Sequence, residues 1–172
     1  RDEYVRSPEA PFDHVALFDE AQRAWNREQT AKFMKQKRNL GHWNQSEPEF
    51  LISCMDRHTD WATVICLVGG GQEINTGEAG IGEWLRAVRG LFSHWRVHIS
   101  PHLHDAEFAA GEALAELHGS PQVSWEPALH LSVSMRSFRA ERLSEFVKRL
   151  LDRDVGPARE VLAGLKDRYP IV

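Results

Sequence analysis

Residues 12–22 read FDHVALFDEAQ, a short apolar run with one β-branched residue that ends directly in two carboxylates and an amide. Runs of this length and composition, set behind Pro11 and flanked by acids, suit a strand buried inside a parallel sheet. A second such run, ATVICLV at residues 62–68, ends as abruptly in Gly69, Gly70 and Gly71. Two shorter runs, residues 95–99 and 129–133, read as a third and a fourth strand.

Segments of helical composition fill the spaces between these runs. Residues 21–37 carry Ala24, Trp25, Ala31, Phe33 and Met34 for a buried face. Ser46-Glu-Pro-Glu has the form of a capping box, with Ser46 at the cap and Glu49 three residues on, opening a helix to about residue 58. Residues 81–92 place Trp84, Leu85, Val88 and Phe92 at helical spacing, and 105–118, 140–151 and 157–168 read as further helices. Strands alternating with helices predict an α/β fold, a mainly parallel sheet with helices on both faces. At 172 residues the chain has room for one domain with a real core.

Composition narrows the class. With 42% hydrophobic and 27% charged residues this is a globular chain, and no run approaches the ~20 apolar residues of a membrane helix. Cys54 and Cys66 fit no disulfide or metal framework and read as reduced core thiols of a cytoplasmic protein. The net charge of −4 argues against a dedicated nucleic-acid coat. Locally the balance differs: Arg23, Arg27, Lys32, Lys35, Lys37 and Arg38 stand against Glu28 alone between residues 21 and 38. That segment is a solvated helix face or a phosphate-binding one, and both readings stay open. Trp43, in the polar loop behind it, is a packing residue or a base-stacking one. His98, His102 and His104 with Asp105 lack a standard ligand spacing, so no metal is assigned to them.

In open parallel sheets, ligands bind outside the carboxyl ends of the strands. Asp19 and Glu20 stand at such an end, where acids are costly unless something binds them. A nucleotide-bound Mg²⁺ takes one carboxylate and keeps its waters, and the adjacent acid can deprotonate an attacking water. The competing reading is a pair of acids at a helix start, favoured by the dipole. At the end of the second strand, the glycines permit close backbone approach, and Gln72 is an amide placed to sense a terminal phosphate.

These segments resemble a known family. DEAQ is similar to the second motif of superfamily 1 helicases, LVGGGQ to the third, and Ser134-Met-Arg-Ser137 to the fourth. More narrowly, HVALFDEAQRAWN, CLVGGGQEINTGEAGIGEWL and HLSVSMRSFRAERLSEFV together resemble the Schlafen group 3-like DNA/RNA helicase family, over residues 12–172. The resemblance implies a partial RecA-like P-loop NTPase core, using ATP and Mg²⁺ and tracking DNA or RNA. It implies that Asp19 holds the Mg²⁺ and Glu20 activates water, with Gln22 and Gln72 near the terminal phosphate. By the same resemblance Arg136 would contact that phosphate, Gly69, Gly70 and Gly71 would border the nucleotide, and Glu78 is a candidate for coupling nucleotide state to the track. Gly70 stands where ordinary superfamily 1 helicases carry an acid.

No Gly-Lys-Ser/Thr phosphate loop is present in the sequence. The expectation is therefore the latter part of a first motor domain, with the phosphate loop upstream of Arg1 and a second motor domain beyond Val172. Such a fragment alone is expected to bind ATP weakly or not at all and to be inactive, and its cut sheet edges favour self-association. Two other functions remain open: a nucleotide-gated regulatory ATPase without unwinding activity, and a noncatalytic binding module in which DEAQ merely caps a helix.

Overall fold

The computed structural model describes residues 2–69, 78–104, 111–131 and 141–165. The chain divides into two compact units, residues 1–129 and 130–172.

The first unit is a mixed helix and strand structure built on two parallel strand pairs. The apolar runs become β1 (Val15–Phe18) and β2 (Thr63–Cys66), paired in parallel with Phe18 opposite Cys66. A second parallel pair joins β3 (Val97–Ile99) to β4 (Val123–Trp125), with Ile99 opposite Trp125. The single four-stranded sheet expected from the sequence is thus two pairs among the described residues. The fourth strand is also displaced. Pro127–Leu129 is a 3₁₀ turn, so residues 129–131 form no strand, and residues 132 and 133 lie outside the described residues. Pro127 fixes the backbone at the turn's start, and the ladder is supplied instead by Val123, Ser124 and Trp125.

The helices are α1 (Asp2–Arg6), α2 (Arg27–Arg38), α3 (Glu47–Met55), α4 (Gly80–Gly90) and α5 (Gly111–Leu117). Helix α3 opens on the predicted capping box: Ser46 Oγ accepts the Glu49 N–H at 3.3 Å, and Glu49 Oε2 accepts the Ser46 N–H at 2.7 Å. Glu49 is buried and also accepts a hydrogen bond from Arg27 Nη2 at 2.6 Å, which raises the Arg27 pKa.

One helix was expected over residues 21–37, and the structure breaks it. Ala21–Arg23 form a 3₁₀ turn, residues 24–26 run extended, and α2 starts behind Asn26, whose side chain accepts the Gln29 N–H. The cause is long-range pairing. Ala24 O accepts the Ala79 N–H at 2.8 Å, and Trp25 O accepts the Glu47 N–H at 3.0 Å. The Trp25 N–H donates to Glu47 Oε2 at 3.1 Å. Backbone groups spent on remote partners are not available to a helix ladder.

Packing follows the strand pleat. Phe18, Val64 and Cys66 point inward against a core of Ile52 from α3, Ile81, Trp84 and Leu85 from α4, and Leu114 and Leu117 from α5. The alternate residues Val15, Leu17 and Ile65 are exposed, so helices cover one face of this pair and not both among the described residues. Both cysteines are free, as expected, and burial raises both thiol pKa values, that of Cys66 to about 12. No helix among the described residues is long and apolar enough to cross a membrane.

The second unit pairs α6 (Glu141–Leu151) with α7 (Val155–Ala163) through a tight turn. Arg153 takes a left-handed φ of 61° there, and Arg149 Nη1 donates to Asp154 Oδ2 at 3.1 Å.

Candidate functional site

The register of β1 and β2 decides what meets at their carboxyl edge. Because Phe18 lies opposite Cys66, the next residues of both strands emerge side by side. The Leu67 N–H donates to Phe18 O at 2.9 Å, and the Ala21 N–H donates back to Leu67 O at 2.8 Å. The segment carrying Asp19 and Glu20 is therefore stitched to the start of the glycine-rich segment by backbone bonds on both sides.

Within that frame the side chains make a short relay. The Glu20 N–H donates to Asp19 Oδ1 at 3.0 Å, and Gln22 Nε2 donates to Glu20 Oε2 at 2.6 Å. On the other side, the Gly69 N–H donates to Gln22 Oε1 at 3.0 Å. A buried amide, 5% exposed, thus joins the Glu20 carboxylate to the backbone at the end of the second strand. Its two ends have opposite hydrogen-bonding character, which is what one acceptor and one donor require. Asp19 remains exposed and Glu20 half-buried.

Glu20 adopts φ 57° and ψ 47°, a left-handed conformation unusual for a residue with a Cβ. Such strain persists where surrounding structure over-determines it, and here Ala21 is clamped on both sides. Its N–H is held by Leu67, and its carbonyl accepts the Trp84 indole N–H at 2.9 Å. Trp84 is 4% exposed and meets Phe18 edge-on at 5.1 Å. Arg23 Nε donates to Glu78 Oε1 at 3.2 Å, tying the loop to the chain that enters α4.

Four of the residues expected at this site are therefore brought together: Asp19, Glu20, Gln22 and Gly69. Gly70, Gly71, Gln72 and Arg136 lie outside the described residues. Sequence reasoning missed Trp84 as part of the loop's support, since helical spacing marks it only as core. It also left Arg23 without a role, because its partner Glu78 is 55 residues away.

Gln22→Ala is expected to lower stability by about 1–3 kcal/mol, because it strips Gly69 N–H of its acceptor and opens a buried gap. Urea denaturation measures this, and an unchanged midpoint would show that the relay contributes nothing to the fold.

The mixed helix and strand architecture is compatible with the α/β class, and its β1–β2 pair gathers two acids and an amide at the carboxyl edge, the edge at which open α/β sheets bind ligands. The chain matches the Schlafen group 3, DNA/RNA helicase domain family over residues 3–172, and it belongs to that family. No curated protein and no solved structure matches it.

Proposed function

We propose that this chain carries the hydrolytic edge of a RecA-like motor, the latter part of a first motor domain that couples Mg-ATP hydrolysis to movement on DNA or RNA. The observation that carries the reading is the Glu20–Gln22–Gly69 relay at the carboxyl edge of β1 and β2. Membership of a DNA/RNA helicase domain family supplies the nucleic acid.

The residues fit a hydrated Mg²⁺. Asp19 is exposed at the strand's end, and the Glu20 N–H bond to its Oδ1 orients the carboxylate. When bound with ATP, Mg²⁺ neutralises charge on the phosphates. Glu20 then serves as the base: its carboxylate accepts the proton of the water that attacks the terminal phosphate. Gln22 holds that carboxylate through Oε2, so the base does not swing away between turnovers. Gln22 also fixes the distance from Glu20 to the backbone of Gly69, where the glycine-rich segment begins. Gln72 and Arg136 are proposed to complete the phosphate contacts.

The test is ATP turnover by the full-length protein with and without single-stranded DNA or RNA. Turnover stimulated by either strand supports a motor. Turnover indifferent to both supports a nucleotide-gated regulatory ATPase, and no turnover at all overturns the reading.

A further inference from the structure

The opposite edge of the β1–β2 pair holds a second cluster. His14 immediately precedes β1, and His58 and Asp60 lie between α3 and β2. The parallel register, with Val15 opposite Thr63, and the Thr63 N–H bond to His14 O at 2.8 Å draw these segments together. A ring nitrogen of His14, a ring nitrogen of His58 and a carboxylate oxygen of Asp60 all lie within 4.8 Å of one another.

Three features set this cluster apart from a chance meeting of polar residues. His58 Nε2 is buried and has no hydrogen-bond partner among the described residues. Buried polar atoms are rarely left so, and an unpartnered imidazole nitrogen invites a ligand. The His14 ring is held firmly: Nδ1 sits 2.7 Å from Trp61 O, the Trp61 indole stacks on it at 4.5 Å, and the His58 ring lies at 4.0 Å on centroids. The Asp60 carboxylate stands 3.7 Å from His14 Nδ1.

We propose that His14, His58 and Asp60 form a binding site for a zinc-class divalent transition-metal ion, which clasps the start of β1 to the turn entering β2. Two imidazoles and one carboxylate are the donor set such ions prefer, with water completing a tetrahedron. Metal–ligand bonds of ~2.0–2.2 Å require the three donors to draw inward from their present spacing. Asp60 is exposed and can swing to meet the ion. Hard cations such as Mg²⁺ favour all-oxygen shells, so this edge and the acidic edge would select different metals. The ion would be structural in role, since binding the folded chain and not the unfolded one adds stability by mass action.

The test is calorimetric titration of Zn²⁺ into chelator-treated full-length protein, with Co²⁺ absorption as a second readout. Wild type is expected to take up one equivalent that His58→Ala loses. Asp60→Asn, at an exposed position that leaves the fold intact, is expected to bind that equivalent at least about tenfold more weakly. Equal Zn²⁺ stoichiometry and affinity in all three proteins would overturn the proposal. Because neither readout involves ATP, its failure and that of the motor reading are distinguishable.

Discussion

Glu20→Gln in the full-length protein is expected to cut ATP turnover by about 10²–10⁴-fold, the range that loss of a positioned general base produces, while leaving Mg-ATP binding in place. The substitution isolates the chemistry because little else changes. The glutamine carbonyl can still accept the Gln22 Nε2 hydrogen that Glu20 Oε2 now accepts at 2.6 Å. The left-handed backbone at φ 57° is equally demanding for either residue, so local strain is not altered. Asp19, which makes its bond to the backbone N–H of residue 20, keeps its partner. What disappears is a basic oxygen able to take a proton. Steady-state phosphate release and equilibrium nucleotide binding, measured side by side, separate the two effects. Turnover at the wild-type rate would remove Glu20 from the role of base.

How much of this was legible depends on the range over which each feature is determined. The strands at residues 15–18 and 63–66 announce themselves because an apolar run bounded by acids or glycines is a local pattern. The capping box is local too: Ser46 and Glu49 are three residues apart, and both of its bonds form as expected. The position of Asp19 and Glu20 at the carboxyl end of β1 is readable because a strand's end is a place the local sequence defines.

Other features had no local signal. The break at residues 24–26 arises from pairing with Glu47 and Ala79, and nothing within the helical pattern of Trp25, Phe33 and Met34 records those partners. The strand Val123–Trp125 is three residues long, and one apolar–polar–apolar alternation gives a weaker pattern than the longer neighbouring LHLSV. The His14, His58 and Asp60 cluster joins residues more than forty positions apart through strand register, so no spacing rule could find it. The relay through Gln22 is intermediate. Its residue was singled out, but its bond to Gly69 follows only from the parallel alignment of Phe18 with Cys66.

Trp84→Ala is expected to destabilise this domain by about 3–5 kcal/mol, which is a large share of the roughly 5–15 kcal/mol that holds a typical domain together. Three losses combine at one position. The indole is 4% exposed in the core between α4 and the strands, so its removal leaves a cavity. Its edge-on contact with Phe18 at 5.1 Å goes with it. Its N–H is also the donor to Ala21 O at 2.9 Å, and that carbonyl belongs to the residue following Glu20. Trp84→Phe separates the terms. A smaller ring keeps much of the apolar contact but removes the indole donor, and the Ala21 carbonyl, which still accepts the Ala24 N–H at 3.3 Å, loses one of two hydrogen bonds at a cost of about 0.5–1.5 kcal/mol. Hydrogen exchange of peptides from β1 and α4 in the full-length protein reads the local stability directly. If the phenylalanine variant protects both peptides as wild type does, the indole bond contributes nothing to holding the loop. If protection falls and turnover falls with it, Trp84 is a positioning residue for Glu20, acting through Ala21. Rescue then has a definite form: a donor restored at position 84 by histidine should recover turnover more than it recovers core packing, because imidazole returns the N–H but not the indole's volume.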